Sequence, residues 1–383
     1  MPVKRHRQAP TQADVARRAG VSQATVSAVV NGRAAANRIP AETERLVKDA
    51  VRELGYAANP AARSLRGKGN RLLGVHTFEA VFPISSRDFY HEFLIGVEEQ
   101  AVAEGYDLVL FTSTEGPNGQ RRLYQADGSN RLKVADGSVL LGVAHDHSDL
   151  ARLGRDGYPF VHIGRREVPG AEIPYVGADY AAGTRDAVAG LVALGHRRVG
   201  YLGIPHRVES LVDREAGYRA ACAAAGIPAL PVLMDGTELT PEWFDLAVGT
   251  GITAFVTEDE GLAGRLVEFA AGRAMGIPDD LSVITLRDTA NGPYPGTPWS
   301  CLGIPRNEIG RAAVRLLISM LQAPPETRLG PATARAGGDP GGEATSVPQA
   351  DPGGSDVDIV SQVLLPCTPP GAGTIAAPPR GNA

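Results

Sequence analysis

The sequence is poor in the residues and motifs that many function classes require. It has only 3 cysteines in 383 residues, at positions 222, 301 and 367. An odd number of widely separated thiols predicts neither a disulfide framework nor a zinc site, and is typical of a reducing cytoplasm. The chain also has no Gly-x-Ser-x-Gly elbow, no Walker loop and no His-Glu-x-x-His motif. We therefore predict that it is not an enzyme.

Long apolar runs are absent as well. No stretch reaches the ~20 apolar residues of a membrane span, and no apolar core follows the basic N-terminus, as a signal peptide would require. His145, Asp146 and His147 come nearest to a metal cluster, but no second group of ligands stands at a suitable spacing, so we interpret them as solvated loop residues. We expect a cytoplasmic protein without metal, cofactor or membrane partner.

Charge is divided unevenly along the chain. The formal net charge is −5, but residues 1–71 hold 14 Lys/Arg against 5 Asp/Glu, whereas the remainder holds 24 against 38. A basic head on an acidic body favours contact with nucleic acid. The basic residues are spread over predicted helices rather than confined to the N-terminus, which favours phosphate contacts over a solvated tail.

Residues 11–31 predict a helix–turn–helix. Thr11 can cap the first helix with Asp14 as its acidic partner. Gly20 suits the left-handed position that ends a helix, and Ser22 can cap the next helix immediately. This geometry places the second helix in the major groove of DNA.

The outer face of the second helix is polar or small. Gln23 and Ala24 point away from its apolar face, which is formed by Val26, Val29 and Val30. A third helix is predicted from Pro40 to Leu54, and its apolar stripe consists of Leu46, Val47, Ala50, Val51 and Leu54. A core made by three short helices is small.

This head, followed by LGYAANPAARSL at residues 54–65, resembles the LacI/GalR family of bacterial transcription regulators. The resemblance implies that Gln23 and Ala24 read bases, although Ala24 can offer only apolar contact. It implies that Leu65 is a wedge inserted into the minor groove by each of two subunits; packing of Leu65 onto the body is the alternative. Further implied DNA contacts lie at Thr11, Ser22, Thr25, Ser27, Asn31, Tyr56, Asn59 and Ala62. Ala28 stands where many members carry arginine, which leaves the operator sequence open.

Strands and helices alternate from Leu72 to about Leu321, which predicts two α/β lobes with a ligand between them at the carboxyl ends of the strands. The fold class is therefore an all-α helix-turn-helix head plus a two-lobed α/β body, which by resemblance is like a periplasmic binding protein. The predicted divisions are a head at 1–57, a hinge helix and linker at 58–71, the body at 72–322, a disordered Pro/Gly-rich insert at 323–357, and a final strand with a loose tail at 358–383.

The ligand pocket is implied by the resemblance. By family spacing Arg214 is a ligand contact, with a structural salt bridge to Asp213 or Glu215 as the alternative. Asp259 falls near the ligand-side Asn-Asp pair of the family. Arg287 and Asp288 fall on its paired acids, so an arginine replaces the first acid.

Arginine only donates hydrogen bonds and suits carboxylate or phosphate groups. Arg214 and Arg287 facing one cleft would favour an acidic or phosphorylated sugar over a neutral one, whereas a slip of one residue would return Asp288 to sugar binding. Aromatic side chains that could stack on a sugar ring, or belong to the core instead, are Phe89, Tyr90 and Trp243.

The resemblance thus implies a ligand-responsive, sequence-specific DNA-binding transcription regulator, a repressor of carbohydrate-utilisation genes with a carbohydrate-like effector. We expect a homodimer on a pseudo-palindromic double-stranded DNA operator, because operator symmetry mirrors protein symmetry. No leucine heptad supports a tetramer. A solute-binding protein of a transport system is the alternative, and a sugar-modifying enzyme would need an acid–base pair that we do not find.

Overall fold

The computed structural model describes residues 10–30, 32–56, 69–79, 89–112, 121–142, 148–287, 298–323 and 361–379. The chain divides into two compact units, Met1–Arg71 and Leu72–Ala383. We call them the head and the body.

The described part of the head contains three helices, α1 (Gln12–Ala19), α2 (Gln23–Val30) and α3 (Ala41–Leu54). Thr11 Oγ1 accepts a hydrogen bond from Asp14 N, and the Asp14 carboxylate accepts one from Thr11 N at 2.9 Å. Gly20 ends α1 with a φ of 67°, and Ser22 Oγ accepts from Thr25 N at 3.1 Å. The capping signals in the sequence therefore form as predicted, because each depends only on neighbours along the chain.

The core of the head includes a residue from the long connection between α2 and α3. Its buried members are Val15, Ala16, Val26, Val29, Ala34, Val47 and Ala50. The prediction was wrong for Leu46, which is 46% exposed. Successive helix positions are separated by ~100°, so Leu46 turns outward when Val47 and Ala50 face the core.

Lobe 1 of the body is a parallel sheet in the order β11-β5-β4-β3-β1-β2. Its strands are β1 (Leu72–Thr77), β2 (Asp107–Phe111), β3 (Gly137–Leu141), β4 (Phe160–Ile163), β5 (Tyr175–Asp179) and β11 (Gln362–Pro366). Its helices are α4 (His91–Ala103), α5 (Ser148–Arg155), α10 (Arg306–Gln322) and a 3-10 turn at Arg131–Val134. Val139 and Leu141 pack towards α4 and α10, whereas Leu140 packs towards α5. Helices on both faces explain why β3 ends in the continuous apolar run Val139, Leu140 and Leu141.

Lobe 2 is a second parallel sheet in the order β10-β9-β8-β6-β7. Its strands are β6 (Val199–Gly203), β7 (Leu230–Leu233), β8 (Ala254–Thr257), β9 (Ser282–Thr285) and β10 (Ser300–Cys301). Its helices are α6 (Tyr180–Ala193), α7 (Glu209–Ala225), α8 (Pro241–Gly249) and α9 (Glu260–Ala271). The predicted alternation of strands and helices is present, and the elements that it missed are β5, β7, β10, α5 and α8. The chain passes between the lobes after β5, after β10 and again after β11.

The prediction of a loose tail was wrong for residues 367–379. Thr374 Oγ1 donates to Val283 O and accepts from Ser300 N at 2.9 Å. Ala376 N donates to Ser282 Oγ at 3.0 Å. Hydrogen bonds to the backbone and hydroxyl groups of lobe 2 hold this segment without any periodic pattern, so composition could not reveal it. Residues 324–360, which include nearly all of the predicted insert, lie outside the described residues.

One buried histidine in lobe 1 makes stability depend on pH. His76 on β1 is 0% exposed, and neither ring nitrogen has a hydrogen-bond partner among the residues that the structure describes. Burial, together with the nearby Arg121 guanidinium, lowers the pKa of His76 to about 4. The folded body therefore keeps His76 neutral at pH values where the unfolded chain protonates it.

We expect the free energy of unfolding to fall as the pH decreases from 6.5 towards 4, because only the unfolded state takes up this proton there. His76 lowers the free energy of unfolding by about 2–3 kcal/mol at pH 4.5, and this effect vanishes above pH 7. Urea unfolding of the wild type and of His76→Leu at pH 4.5 and at pH 7 measures this loss of stability. Equal losses in the two proteins would show that other groups carry the acid sensitivity.

Candidate functional site

A cavity of about 340 Å³ lies at the carboxyl ends of the strands of both sheets. Lobe 1 contributes Glu79 after β1, Gly142 after β3 and the pair Arg165–Arg166 after β4. Lobe 2 contributes residues that follow β6, β8 and β9, together with the first turns of α7. Parallel strands bring their carboxyl ends to one edge of each sheet, so the topology gathers these side chains in one place.

Arg214 on α7 lines this cavity and is nearly buried. Its residue exposure is 5%, and its guanidinium carbon lies 4.2 Å from the centre of the Tyr180 ring. Arg214 Nε has no hydrogen-bond partner, and no ion pair of this guanidinium is found among the described residues. The described residues therefore provide a π face for Arg214 but no acceptor for its Nε.

The neighbouring acids are engaged elsewhere. Asp213 pairs with Arg165 at 2.6 Å, and Glu215 pairs with Arg207 at 3.0 Å. The alternative interpretation, a structural salt bridge between Arg214 and one of these acids, is therefore wrong for this structure.

Three further predicted pocket residues meet at the same cavity. The Arg287 guanidinium carbon lies 5.1 Å from the centre of the Phe89 ring, and Arg287 Nη1 lies 3.9 Å from Asp259 Oδ2. The Asp259 carboxylate also accepts from Gly261 N at 2.7 Å, which caps α9. The fifth predicted residue, Asp288, lies outside the described residues.

The two other aromatic candidates differ in position. Tyr90 lines the cavity and donates to Glu79 Oε2 at 3.0 Å. Trp243 does not line it, but packs in the core of lobe 2 with its ring centre 6.1 Å from that of Phe255. A tryptophan in an amphipathic helix such as α8 fits either role, so its sequence neighbourhood could not decide between them.

Sequence reasoning missed Glu258, the residue before Asp259. Its side chain is 0% exposed, and its carboxylate accepts from Ile204 N at 2.8 Å, from Arg207 Nη1 at 2.7 Å and from the Tyr201 hydroxyl. Burial, with the Glu258 charge second, raises the pKa of Tyr201. The Glu258 carboxylate therefore already accepts hydrogen bonds from the protein. It stabilises the wall of the cavity rather than offering an acceptor to a ligand.

Sequence reasoning also missed Arg165 and Arg166. Arg165 donates to both oxygens of Asp213, at 2.9 and 2.6 Å. Arg166, 8% exposed, donates to Glu209 Oε2 at 3.1 Å and to Gly142 O at 2.9 Å. Burial lowers the pKa of Arg166. The available signal was position, because both arginines follow directly after a strand at the ligand-binding edge.

The head presents a second candidate surface on α2. Ser22, Gln23 and Ala24 are exposed, while Thr25 and Ser27 are half-buried. Thr11 is exposed at the start of α1, and Tyr56 is half-buried after α3. The other predicted DNA contacts lie outside the described residues; they are Asn31, Asn59, Ala62 and Leu65.

Several basic side chains of the head form exposed ion pairs within it. Arg18 pairs with Glu53 at 2.6 Å and Lys48 with Glu44 at 2.6 Å. Exposed pairs of this kind contribute little stability, so they leave these cations available to an outside anion. No ion pair is found for Arg45 in the described part of the head.

Comparison with known proteins matches both units. The family described as "Bacterial regulatory proteins, lacI family" matches residues 11–59, and "Periplasmic binding proteins and sugar binding domain of LacI family" matches residues 76–241. A "Periplasmic binding protein-like domain" matches residues 188–337. The HTH-type transcriptional regulator CelR of Thermobifida fusca is 30% identical over 325 residues, which are 82% of this chain and 93% of the relative. The chain belongs to the LacI family.

Other LacI-family relatives are similar to this chain over most of its length. Catabolite control protein A of Streptococcus mutans is 29% identical over 80% of this chain and 90% of its own. The HTH-type transcriptional repressor CytR of Escherichia coli is 28% identical over 84% and 93%. These relatives are transcription regulators and not enzymes, so the prediction that this LacI-family chain is a DNA-binding regulator without catalytic activity is confirmed.

Solved structures show the LacI-family fold. A lac repressor dimer bound to operator and an anti-inducer matches with a TM-score of 0.65 and 20% identity, over 97% of this chain and 100% of that one. A CelR–cellobiose complex matches with a TM-score of 0.52 and 24% identity, over 82% and 93%. The predicted fold class is therefore confirmed. Within the described residues, no helix is long and apolar enough to cross a membrane.

Proposed function

We propose that this LacI-family regulator represses carbohydrate-utilisation genes, and that a sugar acid or a phosphorylated sugar in the cleft between the lobes changes its affinity for DNA. The observation that carries the effector class is Arg214, a nearly buried guanidinium whose Nε has no hydrogen-bond acceptor among the described residues. An unpaired buried charge is unfavourable, and a ligand carboxylate or phosphate would compensate it with short, charge-assisted hydrogen bonds.

Arg287 supports the same class of effector. A carboxylate at its position would accept hydrogen bonds from neutral hydroxyl groups, whereas a guanidinium donates. Among the described residues, the two acids nearest to Arg287 are Asp259 and Glu260, which lie 3.9 and 3.7 Å away and are only partly buried. A ligand anion can therefore compete for it. The relative CelR was solved with cellobiose, a neutral sugar; the proposal is that this chain binds a charged counterpart. The cavity volume of about 340 Å³ is at the small end of ligand sites and suits a short saccharide.

For the head we propose direct reading of bases by Gln23 and Ala24. The Gln23 amide can pair with an adenine edge and the Ala24 methyl can contact a thymine methyl. The hydroxyl groups of Thr11, Ser22, Thr25, Ser27 and Tyr56 would position the head on phosphates. Contacts by Asn31, Asn59 and Ala62, and a minor-groove wedge formed by Leu65, are proposed from the sequence alone. Two subunits would bind a pseudo-palindromic operator as a homodimer.

Affinity capture of fragmented genomic DNA at two salt concentrations tests this proposal. We expect the wild type to enrich a pseudo-palindrome beside carbohydrate genes. Gln23→Ala should lose about 1–3 kcal/mol and relax selection at one base position in each half-site. The control Arg45→Ala should weaken binding to all sequences alike and reduce the salt dependence. If the wild type and Gln23→Ala both captured only diffuse, salt-sensitive fragments, sequence-specific reading by α2 would be contradicted.

The captured operator then allows a test of the effector. Glucuronate, galacturonate, glucose 6-phosphate and cellobiose are added in turn to the protein–operator complex. We expect a charged member of such a panel to change operator affinity, and a response to the neutral disaccharide alone would refute the proposed effector class.

A further inference from the structure

Two adjacent arginines of lobe 1 are bound to two acids of lobe 2. Arg165 and Arg166 follow β4, and Asp213 and Glu209 lie on the first turns of α7. Arg165 Nη2 lies 2.6 Å from Asp213 Oδ1, and Arg166 Nη1 lies 3.1 Å from Glu209 Oε2. In addition, Glu167 N donates to Glu209 Oε1 at 3.1 Å. These contacts tie the lobes together; we call the four charged residues the clasp.

The clasp is more than a pair of surface contacts. The side chains of Arg165 and Asp213 are 18% and 21% exposed, and those of Arg166 and Glu209 are 7% and 11% exposed. Arg165 engages both oxygens of Asp213, an arrangement that fixes direction as well as distance. Separating the lobes would break these charge-assisted hydrogen bonds, which are stronger than neutral ones.

The clasp also adjoins the effector cleft. Arg166 lines the cavity, and Asp213 directly precedes Arg214 on α7. Arg166 is anchored in lobe 1 through Gly142 O at 2.9 Å, so it holds α7 against a fixed point. These ion pairs therefore lie beside the helix that carries the Arg214 guanidinium into the cleft.

Another contact between the lobes at the cavity, a cation–π contact, is weaker than the clasp. Arg287 of lobe 2 lies 5.1 Å from the centre of the Phe89 ring of lobe 1, and the Arg287 side chain is 39% exposed. An exposed cation–π contact is worth less than a desolvated one. The clasp is thus the stronger of these two closing interactions.

We propose that the clasp holds the cleft closed without an effector and so sets how readily the effector enters. The inference rests on the proposed function only in naming the ligand of this cleft an effector. A two-state protein responds to a ligand through its differential affinity for the two states. A clasp made by the protein itself shifts that equilibrium before any ligand binds.

The distance between the lobes can be measured without ligand or DNA. A ketone-bearing amino acid replaces Arg155 of lobe 1 and Ala224 of lobe 2, both exposed, and carries spin labels for pulsed electron paramagnetic resonance. Labelled chain is mixed with excess unlabelled chain, so that the measured distance lies within one subunit. We expect a narrow distribution for the wild type, and a longer and broader one when Glu209→Gln and Asp213→Asn are combined.

Two variants make the result specific. The exchanged pair Arg165→Asp with Asp213→Arg restores opposite charges, so its distance distribution should lie closer to that of the wild type than the distribution of the Glu209→Gln, Asp213→Asn variant does. Asp213→Asn alone should give a smaller shift than Glu209→Gln and Asp213→Asn together. The control Asp245→Asn removes an Arg–Asp pair with Arg273 that lies wholly within lobe 2, and should shift nothing. A clasp variant with the wild-type distribution would overturn the inference. Because DNA and effector are absent, that failure is separate from any failure of the proposed function.

Discussion

Replacing Arg214 with alanine is expected to abolish the effector response while operator affinity in the absence of effector stays within about twofold of the wild type. Truncating one partner of a buried charged pair costs about 2–5 kcal/mol, so the effector concentration needed for a response should rise at least 30-fold. Operator binding by fluorescence anisotropy, with and without the charged sugars named above, measures both quantities. A response at the wild-type concentration would show that Arg214 is not the anion-binding residue.

A matched variant separates loss of contact from loss of structure. Arg214→Met keeps an unbranched stem near Tyr180 but removes the unpaired charge. Since the described residues offer this charge only the face of the Tyr180 ring, we expect the unliganded Arg214→Met body to be at least as stable as the wild type. Its free energy of unfolding should be higher by at most on the order of 1 kcal/mol. A strongly destabilised Arg214→Met protein would mean that the arginine is a structural residue.

A large loss of stability is expected from adding one methyl group to α7. Gly217 lies where α7 crosses α6, and a Cβ atom at this position would stand 2.2 Å from Ala181 O. Alanine normally favours a helix over glycine by about 1 kcal/mol, but here backbone atoms on both sides must move apart. We expect Gly217→Ala to lose about 2 kcal/mol of unfolding free energy, because overpacking outweighs the gain in helix propensity.

The same change elsewhere in lobe 2 should have the opposite sign. Gly190 on α6 is exposed, and a Cβ atom there would meet nothing within 4 Å. Gly190→Ala should therefore gain about 0.5–1 kcal/mol. Urea unfolding followed by the fluorescence of Trp243 and Trp299, which both lie in lobe 2, compares the variants. Equal effects of the two changes would show that α6 and α7 can separate without cost.

Features that depend on neighbouring residues could be predicted from the sequence. The Thr11–Asp14 capping box and the left-handed Gly20 are encoded within one turn of helix, and both form. Apolar runs bounded by turn residues placed most strands of both sheets, since strands covered on both faces need little else. Arg214 was located through family spacing, and the structure places it in the cavity.

Features that depend on residues distant in the chain could not be predicted from the sequence. Arg165 and Asp213 are separated by 48 residues, and nothing in either segment identifies the other as its partner. The error at Leu46 has a different origin, because an apolar residue beside a helix stripe is compatible with either face. Glu258 and Asp259 are adjacent acids with different surroundings, and only the fold shows that the first is buried.

The segment after β11 has a consequence for synthesis on the ribosome. Residues 362–366 supply an edge strand of lobe 1, and Thr374 and Ala376 bind the backbone or hydroxyl groups of lobe 2. Chain segments fold as they emerge, with N-terminal domains first, so the head is available while both lobes still lack a part. A premature stop before β11 would therefore release a chain that keeps its DNA-binding head and has two defective lobes. Such a product would keep the exposed face of α2 without an intact ligand-binding body to control it.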